Sequence, residues 1–487
     1  MGDPERPRQR KFAPRSRQGC LTCRARRKRC DGKRPICQSC TRLNMSCEWE
    51  AQRKIVSTST TVTATEPEPE TEIEVEDKQA ITLPTLQELT VSSPVPSLDP
   101  WDSLPVNEVA EKKHLLRYYV EAFIPSVSVA DTPHSFYTGL YIPWAFECDG
   151  VLNAIIALSS AQLARRTAFE DRAEHLRAVS SKYQRRCYAF LADRVPQSSG
   201  PPRDAFQVIG IVLLLVGLEA LNGEKSTRWL SQMKCVRDIL NMLSAQSNGY
   251  ESWEIGSLRR HFTYHNAMAS LMARVSNRRS EVFVVNSIMD EAVNAETLTV
   301  DPLMGIAYYI CRLITRIQFV TSTNPAFPHI TEAAFAILEQ EILQWTYGSP
   351  MDIPGLDLPV ALDLIALAET YRNAALIQLY RTSTAHKHLI PACASRAMQF
   401  VSRIPSGSAA ESSMLYPIFM AGAELSNEPE ISQCFKRLKE IQARNRYENV
   451  GMVQKVLEEV WRPALNGQDK RDWEEVLKEW GWSFTLG

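Results

Sequence analysis

The chain has 487 residues, with 55 Lys+Arg against 56 Asp+Glu, and its formal net charge is −1. That length allows two or three domains, and the even average conceals a division: residues 1–54 carry a net +11 and the rest a net −12. A basic head on an acidic body points to a polyanion partner, while the first residues, MGDPERPRQRKF, lack the apolar run of a secretory signal.

Residues 1–15 read as a basic disordered arm. Arg6, Arg8, Arg10, Lys11 and Arg15, with Arg17 just beyond, suit a solvated tail, phosphate contacts and a nuclear import signal together.

Six cysteines follow as Cys20-x2-Cys23-x6-Cys30-x6-Cys37-x2-Cys40-x6-Cys47. The same unit, a C-x2-C pair with a third cysteine six residues on, is written twice. Close thiolate pairs suit tetrahedral zinc, with Zn–S distances of about 2.3 Å. Two four-coordinate ions offer more ligand places than there are sulfurs, so two sulfurs must bridge. By the symmetry of the repeat these are Cys20 and Cys37. Cys23 and Cys30 then complete one ion, and Cys40 and Cys47 the other. Three disulfides of a secreted domain, or a metal-storage peptide, are the alternatives. The missing signal argues against the first. A basic filling that storage does not need argues against the second. The remaining cysteines, Cys148, Cys187, Cys235, Cys311, Cys393 and Cys434, are scattered and read as buried thiols in a reducing compartment.

Between Cys23 and Cys30 lie Arg24, Ala25, Arg26, Arg27, Lys28 and Arg29. A short helix pinned by metal at both ends turns several of these cations outward together. Arginine bonds the O6 and N7 acceptors of guanine in the major groove, and the remaining cations suit phosphates, which carry no sequence information. Arg24, Arg26, Arg27, Lys28 and Arg29 are therefore the expected DNA contacts.

The segment GCLTCRARRKRCDGKRPICQSCTRLNMSCEW resembles the fungal zinc binuclear cluster, the Zn2Cys6 family of transcription regulators. The resemblance implies short helices over Arg24–Arg29 and Thr41–Met45 and a loop proline at Pro35. It also implies reading of a CGG triplet by the residues three and four places after the second cysteine, here Arg26 and Arg27. Relatives most often carry lysine at the second of these, so Arg27 is a mild departure that keeps charge and guanine chemistry. The expected DNA-binding domain is 16–50, with two Zn2+ as cofactors.

Residues 51–106 read as a disordered acidic and Pro-rich linker. Glu66–Asp77 holds seven acids and no base, and Pro84, Pro94, Pro96, Pro100 and Pro105 punctuate the remainder. Such a segment cannot bury enough apolar surface to offset its ordering entropy. No heptad pattern follows the cluster, which argues against a zipper dimer.

From Asn107 the pattern is helical. Leu115, Leu116, Tyr119 and Phe123 mark a helix expected to stop at Pro125. Val151–Leu163 and Phe206–Leu221 follow; the latter holds VIGIVLLLVGL, an apolar run too short for a bilayer, which needs about 20 residues. Further helices are expected at Ser226–Leu243, Leu303–Thr321, Ala333–Trp345, Leu358–Tyr380, Ala392–Val401 and Met452–Trp461. Strand-like alternation is confined to Ser280–Val285. YYVEAFIPSVSV with IPWAFECDGVLNAIIALSSAQLA, and the closing VLEEVWRPALNG and DWEEVLKEWGW, resemble the all-helical fungal-specific transcription factor domain. Some relatives use that domain to bind a small hydrophobic effector such as a sterol.

Other motifs are weaker. His261 and His265 in HFTYH are one helical turn apart, but Phe262 stands where a metalloprotease needs glutamate. Packed or surface histidines are the simpler reading. His386 and His388 do not share a helix face. Trp473, Val476, Leu477 and Trp480 form a clean apolar stripe, read as a docked terminal helix in preference to a coactivator-binding segment. No nucleotide loop or nucleophile elbow is present.

The expected fold is mostly α: a small N-terminal cluster of two zincs and six cysteines, a disordered linker and a large all-α regulatory domain at 107–487. The expected function is sequence-specific regulation of RNA polymerase II genes in the nucleus, through double-stranded DNA bearing CGG-like triplets. It is not an enzyme and engages no membrane. A homodimer formed without a zipper and recruitment of coactivators are left open. The alternative is a metabolite-sensing receptor whose helical domain binds a small hydrophobic effector and uses the cluster for output. A helical enzyme with an accessory zinc module would require a cleft of convergent polar residues, for which the sequence has no motif.

Overall fold

The computed structural model describes Cys20, Thr22, Cys23, Cys30, Asp31, Lys33, Cys37, Gln38, Cys40, Cys47 and Trp101, then residues 107–487 except 133–134, 195–201, 247–251, 276–299, 323–329, 354 and 466–467. The chain falls into two compact units, Met1–Ser93 and Pro94–Gly487. The expected linker at 51–106, apart from Trp101, and the strand-like Ser280–Val285 lie outside the described residues.

The larger unit is helical, and among its described residues no strand forms; the sole ladder contact is an isolated bridge from Asp301 to Gly305. Among the described residues its helices of eight residues or more are α1 (Glu108–Tyr118), α2 (Asp149–Arg166), α3 (Glu170–Arg194), α4 (Pro202–Asn222), α5 (Arg228–Gln246), α6 (Trp253–Val275) and α7 (Tyr308–Ser322). They continue as α8 (Glu332–Gln344), α9 (Leu358–Tyr380), α10 (Ile390–Arg403), α11 (Leu415–Gly422), α12 (Glu428–Asn445), α13 (Glu448–Leu465) and α14 (Trp473–Trp480).

The apolar run of α4 organises the core. Val208–Val216 and Leu218 are buried, and the helix packs against α2, α5, α6 and α13. Its span Arg203–Asn222 has a mean hydropathy of 2.0 and is long and apolar enough to cross a membrane, yet 78% of it is buried within the protein. Protein on several sides, rather than lipid, satisfies its apolar surface. Glu219, 1% exposed near its end, is held by Arg228 Nε at 2.6 Å.

The helical run at Leu115–Phe123 does not stop at Pro125. After α1 it widens into a π turn, Tyr119–Phe123, and resumes as Ile124–Val127. Proline is accepted there because it occupies the first positions of a new turn, where its missing N–H costs nothing. Pro143 repeats the device after the π turn Tyr137–Tyr141. The helix expected from Leu303 begins instead at Tyr308. Asp301 intervenes: its Oδ1 accepts the N–H groups of Leu303 (2.8 Å) and Met304 (2.9 Å), and Gly305 takes φ +59°. This local side-chain turn competes successfully with helix.

The stripe Trp473–Trp480 is docked, as its pattern suggested. Trp473, Val476 and Leu477 are buried, Asp472 caps the start and Gly481 at φ +62° ends it. Trp101 also belongs to the body: its ring meets Tyr118 edge-on with centroids 5.1 Å apart, and its carbonyl accepts from Arg172 at 3.0 Å.

Candidate metal centre and nucleic-acid interface

Near the N-terminus the structure gathers sulfur. Cys20, Cys23, Cys30 and Cys37 have all four Sγ atoms within 4.8 Å of one another, and so do Cys20, Cys37, Cys40 and Cys47. The two sets share Cys20 and Cys37, whose sulfurs are 3.7 Å apart. Cys23 to Cys37 is 3.6 Å and Cys20 to Cys40 is 3.8 Å. The edge of a sulfur tetrahedron around zinc, from a Zn–S length of about 2.3 Å, is about 3.8 Å. The donor set and its spacing therefore fit zinc. All but Cys47 are buried, and the described residues of this small core are cysteines alone.

The backbone repeats the sequence symmetry. Cys23 N–H points at Cys20 Sγ (3.3 Å), and Cys40 N–H at Cys37 Sγ (3.4 Å). Cys20 N–H points at Cys30 Sγ (3.5 Å), and Cys37 N–H at Cys47 Sγ (3.3 Å). The two shared sulfurs thus receive equivalent amide donors, which favour thiolates. Asp31 Oδ1 accepts Gln38 N–H at 3.0 Å and ties the first half to the second. The sequence reading missed this brace; an aspartate directly after Cys30 was its signal.

Without a cation such a cluster is electrostatically frustrated. Burial pushes the Cys20 and Cys23 thiols up, and Cys40 up to about 12. Burial acts the same way on Cys37, but the Cys40 amide and the neighbouring thiols outweigh it and bring Cys37 down to about 6. A bound divalent cation reverses this logic by stabilising every coordinated thiolate. Arg24, Arg26, Arg27, Lys28 and Arg29 lie outside the described residues, as does the Thr41–Met45 segment. Thr22 and Cys23 at their threshold are helical.

Comparison with known proteins agrees with this geometry. Residues 18–55 match the fungal Zn(2)-Cys(6) binuclear cluster domain. Residues 114–487 match the fungal specific transcription factor domain, which accounts for most of the chain. The chain belongs to the fungal Zn2Cys6 transcription factor family. The family is one of transcription factors and not of enzymes, and its N-terminal module binds zinc and DNA. Among relatives, the transcriptional activator protein UGA3 of Saccharomyces cerevisiae is 23% identical over 43% of this chain and 42% of its own. The zinc cluster transcription factor CZF1 of Candida albicans is 63% identical over 7% of this chain and 9% of its own. The transcriptional regulatory protein pro1 of Neurospora crassa is 53% identical over 7% and 5%. The matches thus span less than half the length of each of these relatives. No solved structure matches the chain significantly.

The histidine pair belongs to the helical body, on α6. Both rings are buried, and among the described residues no cluster of three or more metal-ligating side chains includes them. His261 Nδ1 is 2.7 Å from Tyr141 Oη, and His265 Nε2 is 3.2 Å from His261 Nε2. Phe136 stacks on His261 at 4.8 Å. Burial holds His261 well below the ordinary imidazole range, helped by His265, and brings His265 down to about 3. A histidine that stays neutral in the native state protonates first in the unfolded chain, so stability is full above about pH 6.5 and falls below it. The two together give a slope of up to about 2.7 kcal/mol per pH unit. Urea midpoints of the helical body at pH 7, 6 and 5 should show the loss. A His261→Gln/His265→Gln double variant should flatten it; an unchanged slope would mean that other groups dominate.

Proposed function

We propose that this chain is a nuclear, sequence-specific regulator of RNA polymerase II genes that reads CGG-like triplets through a cluster of two zinc ions. The observation that carries the reading is the pair of four-sulfur sets overlapping at Cys20 and Cys37. Overlap of that kind is what two ions sharing six cysteine ligands, Cys20, Cys23, Cys30, Cys37, Cys40 and Cys47, require. Cys23 and Cys40 belong to different sets yet lie 3.8 Å apart, so loading the second ion should spread that pair. In this reading 1–15 is a basic arm, 16–50 the DNA-binding domain, 51–106 a linker and 107–487 the regulatory body, which serves any homodimer or coactivator contact without a zipper.

Arg26 and Arg27 read guanines in this proposal, while Arg24, Lys28 and Arg29 hold phosphates. Arg26→Ala or Arg27→Ala should cost about 1–3 kcal/mol on a CGG-containing duplex and flatten the preference among sites. Arg10→Ala should weaken all duplexes about equally and reduce the salt slope. Titrations on specific and scrambled duplexes at two salt concentrations separate the cases. Intact CGG discrimination after alanine at both helix positions would overturn the residue assignment.

A further inference from the structure

Beneath α4 the helical body holds a partly open cavity of about 70 Å³. Leu213, Leu214 and Gly217 of α4, Leu158 of α2 and Leu415 of α11 supply much of its apolar wall. Its lining also carries polar groups. His265 Nδ1, Asn445 Oδ1 and Asn449 Oδ1 all belong to lining residues, are buried, and have no hydrogen-bond partner. The residues themselves are 4%, 6% and 3% exposed. Buried polar atoms are rarely left so, because each unmet group costs stability.

The hydrogen-bond chain behind His265 gives its unpartnered atom a sign. If Tyr141 O–H donates to His261 Nδ1, then His261 Nε2–H donates to His265 Nε2, and Nδ1–H of His265 is left as a donor. The reverse direction strands the buried Tyr141 proton as well, so the first is favoured. The cavity therefore offers a donor from α6 and amide acceptors from the end of α12 and the start of α13. Its one acidic side chain is neutralised: Glu411, which also lines it, is paired with Arg437 and Arg444, and Arg437 also with Glu440.

We propose that this cavity binds a small neutral molecule that carries a carbonyl or hydroxyl acceptor, a hydroxyl or amide donor and a short apolar body. A negative charge is disfavoured because no cationic side chain lines the cavity. Size excludes a sterol or other drug-sized ligand, whose pockets measure about 300–1,000 Å³. The α12–α13 junction lies between this cavity and a second, polar cleft. There Asn445, Tyr447 and Asn449 line the cavity, while the alternate residues Arg446 and Glu448 line an open polar cleft outside. Arg446 takes φ +59°, a left-handed conformation uncommon for a side-chain-bearing residue, and Glu448 is paired with Arg165 of α2. This inference goes beyond the DNA reading and does not depend on it.

Propionamide supplies an acceptor, a donor and an ethyl body; butanone lacks the donor. Saturation-transfer NMR on the full zinc-loaded chain should show saturable propionamide binding and weaker butanone binding. His265→Phe or Asn449→Leu should weaken propionamide about tenfold or more. A Cβ at Gly217 would meet only Leu158, at 4.0 Å, so Gly217→Val should fold and, by filling the cavity, abolish binding. Absence of saturable propionamide binding to the natural chain would mean that the cavity holds water only, and would overturn the proposal. Binding that survives Gly217→Val would overturn the location. Either failure leaves zinc content and duplex binding, measured on the same sample, unaffected.

Discussion

Stripping zinc from the full chain should unfold the cysteine region while the helical body keeps its circular dichroism. The reason is the composition of the two cores. Among described residues the small one consists of cysteines alone, and its sulfurs crowd to 3.6–3.8 Å. Such a core has little apolar surface to bury, so metal binding supplies its folding free energy, about 10–16 kcal/mol of apparent stabilisation per structural zinc at pH 7. The helical body has a large apolar core of its own and no cysteine cluster among its described residues. Elemental analysis should find two zincs per chain. Cys20→Ser or Cys37→Ser should lose both ions, because each belongs to both four-sulfur sets. Cys23→Ser should mainly lose one. A natural chain holding a single zinc would sink the shared-sulfur arrangement.

Glu411→Ala should destabilise the helical body by about 3–5 kcal/mol. Glu411 is 1% exposed and lies 2.9 Å from Arg437 and 3.1 Å from Arg444, both on α12. Arg437, 9% exposed, also donates to the carbonyls of Ile404 (2.9 Å) and Pro405 (3.3 Å) after α10. One carboxylate thus holds a guanidinium that in turn fastens the α10 exit to α12. Removing it leaves a buried cation with only the more exposed Glu440, at 3.1 Å, as its anion, so its desolvation is compensated only in part. Replacing both partners, as Glu411→Met with Arg437→Met, should recover much of the loss, since a buried pair is weakly stabilising compared with an apolar substitute. Urea unfolding followed by helical signal measures both. Equal loss in the single and double variants would show that shape, not charge, is at stake.

The gathering of the six cysteines was the most legible part of the chain. Spacings of two and six residues bring sulfurs together through short-range geometry alone, and the doubled unit singles out Cys20 and Cys37 as the shared pair. The structure places those two sulfurs in both sets. Strongly apolar or cleanly striped helices were equally plain, Leu358–Tyr380 to the residue and the docked Trp473–Trp480. Weakly patterned helices were missed. Among these is α3, whose 25 residues are largely polar and bury only a thin stripe such as Leu176, Tyr183 and Cys187. Its partner α2 supplies the apolar surface that keeps it in place. The sequence by itself also determined the division into a basic cysteine head, an acidic stretch after it and a helical body of nearly balanced charge. Charge and cysteine spacing are local properties that need no fold to be read. Only the tertiary structure decided the rest. His261 meets Tyr141 across 120 residues of chain, Asn445 and Asn449 face the same cavity as His265 on another helix, and Glu411 joins two arginines of α12. Contacts of this kind leave no periodic trace in the chain, because each partner looks locally like an ordinary polar residue on a helix or loop. What makes it matter is the removal of water around it, and burial is settled by the packing of the whole body.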